Sequence, residues 1–250
     1  MNMIITTGKH SYMVNEINST IEVGSTVFIP ETQTWHMITA PGVMTAIDGN
    51  EVEESIKVST AEQLTEAIAA GGSVTIEDSI DAPTVIVVNN DPTVNLNGKI
   101  ISIKEDAEGN GVFNVTNGTL TINGKGIIDG VGKNDWNMAI WATENGKVIV
   151  NDGTFTNIGA TGESPDHFDL IYASGNGQVE INGGEFKCQT PRWTLNIKDK
   201  DRATAKIIVK GGKFHNFDPA NNLSEGPNTN FVAPGYKVVE TNGIFEVTPE

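Results

Sequence analysis

Asn145-Gly-Lys-Val-Ile-Val-Asn-Asp-Gly-Thr-Phe155 and Asn176-Gly-Gln-Val-Glu-Ile-Asn-Gly-Gly-Glu-Phe186 are two copies of one pattern, 31 residues apart. Each opens on an Asn-Gly turn pair, alternates apolar and polar residues over one short strand, closes that strand on Asn, turns through Gly and brings in Phe. Working outward, apolar-x-apolar-Asn recurs as Val94 to Asn97, Leu120 to Asn123, Val148 to Asn151 and Val179 to Asn182, and lapses once, at Ile207 to Lys210. The first residues of these strands are 26, 28, 31 and 28 apart. A second column, Ile101, Ile127, Phe155, Phe186 and Phe214, keeps the same intervals, and the pairs Asn117-Gly118, Asn145-Gly146 and Asn176-Gly177 precede the second to fourth strands by three residues. Three columns in one register define an internal repeat.

A unit of about 28 residues made of strands and tight turns has no room for a crossover helix, so βαβ winding is excluded. Equivalent residues of successive units meet when each unit is one coil of a parallel β-helix, stacked about 4.8 Å above the last. In that arrangement Val148, Val179 and Ile207 form an inward aliphatic ladder, and Phe155, Phe186 and Phe214 an aromatic one. The Asn columns fit sharp corners, where Asn tolerates left-handed backbone, and their amides can bond from coil to coil.

Stacked coils leave an apolar end that must be covered. The strongest helix signal, Val58 to Gly72, lies just ahead of the coils. There Thr60 and Gln63 form a capping box, Leu64 and Ile68 share a face, and Gly71-Gly72 stop the helix. At the other end Asp218-Pro-Ala-Asn-Asn opens a loop, and Tyr236 to Val247 reads as a hairpin turning at Asn242-Gly243. The expected fold is therefore all-β: a right-handed parallel β-helix of about five to six coils with an N-terminal capping helix and a C-terminal hairpin. The chain divides into 1–55, a small β-rich attachment or oligomerisation segment; 56–217, the helix and coils; and 218–250, the closing loop and hairpin. Residues 1–55 do not follow the repeat. Their short strands and the apolar stretch Trp35, His36, Met37 and Ile38 make a weak core, so Trp35, Met37 and Ile38 are expected to attach to a partner or to another copy.

Thirty-two acidic against 16 basic residues give a formal charge of −16, which disfavours binding to nucleic acid. Cys188 is the only cysteine, so no intrachain disulfide and no cysteine-based zinc site is expected. No stretch is long enough to insert in a membrane, and the first residues do not read as a signal peptide.

Chemistry on a β-helix sits where coils project long loops. Here these are roughly Asp129 to Ala139, Ile158 to Asp169 and Cys188 to Arg192. The middle loop carries Glu163, Asp166, His167 and Asp169, either a calcium or acid–base set or a solvated acidic loop, with the second preferred. His167 lacks a nucleophile for a triad. Arg192 and Arg202, the only arginines, either neutralise a sugar acid or pair with nearby carboxylates. Trp141 and Tyr172, 31 residues apart, each follow an inward Ile and are expected to stack on the outer face, with Trp136 and Trp193 nearby. Such a row serves a subunit interface or sugar rings. Cys188 reads as a small packing residue. No cofactor and no metal is assigned.

The coil pattern of residues 73–217, with its Asn columns, resembles the right-handed β-helix of pectate-lyase-like folds. The capping segment Val58 to Gly72 and the tail Asn216 to Val239 resemble β-helical fibre and adhesin proteins of tailed bacteriophages. That resemblance implies a non-enzymatic virion structural protein, often a homotrimer. It would be assembled in the host cytoplasm, attached through residues 1–55 to capsid or other virion proteins, and would present its helix to host-surface or mucosal glycans. A head fibre or capsid decoration is the first expectation and a tail fibre or tailspike the second. A polysaccharide lyase or glycosidase, with Asp166, Asp169 and Arg192 as its best residues, is the enzymatic alternative; the Asn-Thr-Asp and paired-Asp motifs of β-helical polygalacturonases are missing from this chain.

Overall fold

The computed structural model describes residues 3–7, 10–14, 25–29, 34–40, 43–46, 55–131, 137–160 and 168–250. The chain forms two compact units, Met1–Ser55 and Ile56–Glu250. In the first, β1 (Met3–Thr7), β2 (His10–Val14), β3 (Thr26–Ile29), β4 (Thr34–Ala40) and β5 (Val43–Ala46) make an antiparallel sheet in the order β2-β1-β3-β4-β5. Met3, Ile5, Val27 and Ile38 are its buried core. Ile38, one of the three residues expected to attach to a partner, is fully buried in this core. Trp35 and Met37 lie on β4, and their side chains are outside the described residues.

The second unit is a parallel β-helix. It begins with β6 (Ile56–Val58) and α1 (Ala61–Ala70), then β7 (Gly72–Ile76) and β8 (Ile80–Val88). The following rung is β9 (Pro92–Asn95) and β10 (Ile100–Val115). The next three have three strands each: β11 (Thr119–Asn123), β12 (Ile127–Asp129) and β13 (Ile140–Ala142); β14 (Lys147–Val150), β15 (Thr154–Thr156) and β16 (Ile171–Ala173); β17 (Gln178–Ile181), β18 (Glu185–Lys187) and β19 (Leu195–Ile197). The stack ends with β20 (Lys206–Val209) and β21 (Gly212–His215), followed by β22 (Tyr236–Thr241) and β23 (Ile244–Pro249). One face is the all-parallel sheet β20-β17-β14-β11-β9-β7-β6. A second carries β12, β15, β18 and β21, and a third β13, β16 and β19, with β8 and β10 bending to serve both. About four turns of winding result rather than five to six. The chain enters through a short circuit closed by the helix and leaves through a loop and hairpin after β21.

The ladders stand as the repeat requires, with one slip. Leu120, Val148, Val179 and Ile207 are paired in series, but Val94 pairs with Ile122 rather than Leu120. The first interval is thus 28 residues, and Asn95, not Asn97, is the partner of Asn123. Asn97 instead turns the corner with φ 50°. On the second face Phe155 pairs with Ile128, not Ile127, and Ile128 is buried. Above it the rings of Phe155, Phe186 and Phe214 stack nearly parallel, with centroids 5.0 and 4.7 Å apart and interplanar angles of 9° and 7°. The amide of Asn151 donates to Asn123 Oδ1 (2.8 Å), and that of Asn182 to Asn151 Oδ1 (3.0 Å). None of these three takes the left-handed conformation, so in this column the Asn side chains add coil-to-coil bonds to the backbone ladder and do not serve a left-handed corner. At the lapse, Lys210 reaches back to Glu180 with Nζ–Oε2 2.9 Å. In the Asn-Gly column the glycine is needed for space. A Cβ on Gly146 or Gly177 would stand 2.0 or 2.2 Å from the carbonyl oxygen of Val115 or Ala142 in the adjacent coil.

Both ends of the stack are covered. Helix α1 buries Leu64, Ala67 and Ile68 over the first rung. Thr60 Oγ1 accepts from Gln63 N (3.2 Å) while Gln63 Oε1 accepts from Ser59 N (2.8 Å), and Asn90 Nδ2 donates to Ala69 O near the helix C-terminus (2.8 Å). At the far end the C-terminal segment takes each open edge in turn. Glu225 Oε1 accepts from Ile197 N (2.7 Å) and Ser224 Oγ donates to Leu195 O (2.9 Å), sealing β19. Val209 N donates to Phe231 O and Ala233 N to Val209 O (both 2.8 Å), sealing β20. Strand β23 pairs antiparallel with β21, and β22 pairs with β23.

Phe186 is the middle ring of the aromatic ladder. Phe186→Asp places an unpaired charge there and is expected to cost about 4 kcal/mol or more. Phe186→Leu keeps most of the volume and is expected to cost about 1–2 kcal/mol, chiefly lost ring stacking. Urea denaturation of the two variants against the parent measures both.

Candidate functional site

The third face is the one whose connections from the second face are long. Its outward positions Trp141, Tyr172 and Asn196 fall in one column because β13, β16 and β19 pair in register. Expected to stack, the two aromatic rings instead meet at 48° with centroids 6.3 Å apart. The indole is held at its edge: Trp141 Nε1 donates to Ser174 Oγ (2.9 Å), which donates to Thr143 Oγ1 (2.9 Å). Tyr172 is only 8% exposed, so the column is not a row of open rings. Burial raises the Tyr172 phenol well above its ordinary range, and the charges of Asp169, Asp201, Asp199 and Glu225 raise it further.

Beside Tyr172 the strand ends and turns form a shallow groove of about 360 Å³, lined by Asp169, Trp193, Asn196 and residues 197–200. Asp169 is buried, and its Oδ1 accepts from Asn196 Nδ2 (2.7 Å). Trp193 closes the 3₁₀ turn Pro191–Trp193 and packs its ring against the core, with Arg192 Cζ 4.3 Å above the ring centroid. A half-buried indole, an amide and carboxylates in one groove are a set that can hold sugar hydroxyls. Among the described residues no three His, Cys, Asp or Glu side chains are grouped as a metal site. Trp136, Glu163, Asp166 and His167 lie outside the described residues.

The two arginines part company. Arg202 Nε bonds Glu225 Oε2 (2.7 Å), and its Nη2 bonds Asp199 Oδ1 (2.8 Å) and the Ser224 carbonyl (3.3 Å). It is thereby part of the end cap. Burial raises the Glu225 carboxyl above its usual range, and Arg202 works against that rise.

The loops that frame the groove are tied down by Asn157, whose side chain is fully buried. Its Nδ2 donates to the carbonyls of Asn137 (3.0 Å) and Phe168 (3.1 Å), and its Oδ1 accepts from Gln189 N (2.6 Å). One amide thus joins three successive loops. Cys188 sits beside it, its Sγ donating to Phe168 O (2.9 Å). The sequence marks both as neighbours of the Phe column but gives no sign that Asn157 gathers the loops. No family model matches the chain, and no curated protein or solved structure matches it either.

Burial pushes the Cys188 thiol up to about 12, so at pH 8 thiolate is scarce and the sulfur is covered. Cys188 is expected to resist iodoacetamide in the folded protein and to react fully in denaturant. Asn157→Ala leaves buried loop carbonyls and an N–H without partners, at a cost of about 2–3 kcal/mol, and should speed alkylation of Cys188 in native buffer. Mass spectrometry of timed labelling reads both.

Proposed function

We propose that this chain is a non-enzymatic structural and adhesive component of a tailed-bacteriophage virion, a head fibre or capsid decoration protein. Residues 1–55 serve as the anchor to capsid or other virion proteins, and the β-helix is the displayed part, held in a homotrimer. The observation that carries the reading is the division of labour in the chain. The β-helix has its own core and a cap on each end, so residues 1–55 are not needed to close it, and they fold around a separate core that includes Met3, Ile5, Val27 and Ile38. A self-closed stack joined to a small independent unit suits a module that is attached by one part and exposed by the other. The same separation suits attachment at the tail; location on the particle decides between the two.

The displayed part is assigned to surface glycans. The third face supports this through the half-buried Trp141, Trp193 and Asn196 beside the fixed carboxylate of Asp169, whereas Tyr172 is covered and Arg202 is committed to the cap.

Deleting residues 1–55 is expected to leave a folded β-helix with protected Cys188 that no longer joins particles, measured by co-sedimentation with virions lacking this chain. Retained particle binding by the truncated protein contradicts the anchor. Turnover of capsular polysaccharide by the full chain, seen as new reducing ends or unsaturated uronides, contradicts the non-enzymatic part.

A further inference from the structure

The end cap leaves one arginine without a carboxylate. Acidic residues outnumber basic ones 32 to 16 in this chain, and Arg202 binds two of them. Among the described residues Arg192 has no ion pair; its guanidinium rests on the Trp193 ring. Stacking of this kind holds the planar group in place and uses none of its five N–H donors, a fork matched to a carboxylate.

Arg192 is also one of the residues lining a pocket of about 520 Å³ between the 3₁₀ turn and the C-terminal cap. Pro191, Phe217, Phe245 and Leu223 supply apolar walls. Leu223 is 70% exposed, although the residues on either side of it are fixed. Asn222 Nδ2 donates to Thr229 O (3.2 Å), and Ser224 Oγ donates to Leu195 O (2.9 Å). The loop thus holds a leucine against water at a set place, where covering it is favourable. Two polar groups complete the lining. Asp218 Oδ1 accepts from Ala220 N (2.9 Å) and Asn221 Oδ1 from Asn228 N (3.0 Å), which leaves a second carboxylate oxygen and an amide NH₂ for a ligand.

The geometry points to a binding site for a carboxylated sugar in this end pocket, with Arg192 taking the carboxylate, the apolar walls the ring, and Asp218 and Asn221 the hydroxyls. It rests on the glycan-attachment reading and narrows it from glycans in general to acidic ones. A neutral sugar leaves the guanidinium fork unmatched, and a bare inorganic anion leaves Leu223 and the half-buried Phe245 uncovered. Uronate polymers and terminal sialic acids share the required chemistry.

Titration calorimetry of the full chain with trigalacturonate and with sialyllactose tests the two sources, with maltotriose and lactose as neutral controls. At least one acidic sugar is expected to bind tenfold or more tightly than its neutral control, with affinity falling as salt rises. Arg192→Ala should weaken that binding at least tenfold, Arg192→Lys less, and Leu223→Ser several-fold, while the urea midpoint and Cys188 protection stay at parent values. Equal binding of acidic and neutral sugars, or full affinity in Arg192→Ala, overturns the pocket assignment and leaves glycan attachment standing. Failure of all four sugars to bind, together with failure of the full chain to adhere to host cells, overturns the attachment reading and the pocket with it.

Discussion

Everything in the second unit depends on backbone hydrogen bonds between coils. Most of its strands are three to five residues long, too short to persist alone. They hold because each lies between two neighbours of the same kind. A parallel ladder of this sort sets residue upon equivalent residue, so side chains that stack well on themselves are selected at each column: rings on rings, amides on amides, branched aliphatics on branched aliphatics. The same requirement explains the glycines of the Asn-Gly pairs, where the next coil's carbonyl occupies the space of a Cβ. It also explains the caps, since every ladder must end somewhere and an open edge recruits other chains.

The repeat made the architecture legible, and its failures are informative. Two offsets fit the alternation in Pro92 to Asn97, because a slip of two residues keeps every side chain on its own face. Only the spacing distinguishes them, and the true spacing of 28 brings Val94 to Ile122. At Ile127-Ile128 both residues are apolar, so alternation cannot say which points inward; the neighbouring Phe155 takes Ile128. Residues 218–233 carry no strand pattern. Their work is done by single atoms, a carboxylate on Ile197 N and a hydroxyl on Leu195 O, and nothing in Gly, Pro and Asn content announces such contacts.

The candidate site was legible to the same depth. The 31-residue spacing placed Trp141 beside Tyr172 correctly because it is a property of the ladder. The angle between the rings, the cover over Tyr172 and the parting of the two arginines come from loops and turns, whose conformations follow no period. Arg192 and Arg202 are alike in sequence, each beside turn residues. What separates them is that Glu225, buried under the cap, needs a cation, and among the described residues it is Arg202 that supplies it.

A stack that closes itself at both ends suits the displayed part proposed above, with its outward features as the ones proposed to meet a surface. The claim beneath all of this is the register of the aromatic ladder. Nuclear Overhauser spectroscopy on protein labelled selectively at Phe and Ile tests it most directly. Cross-peaks are expected from Phe155 to Phe186, from Phe186 to Phe214 and from the Ile128 methyls to Phe155. Absence of these contacts, or contact of Phe155 with Ile127 in place of Ile128, would contradict it.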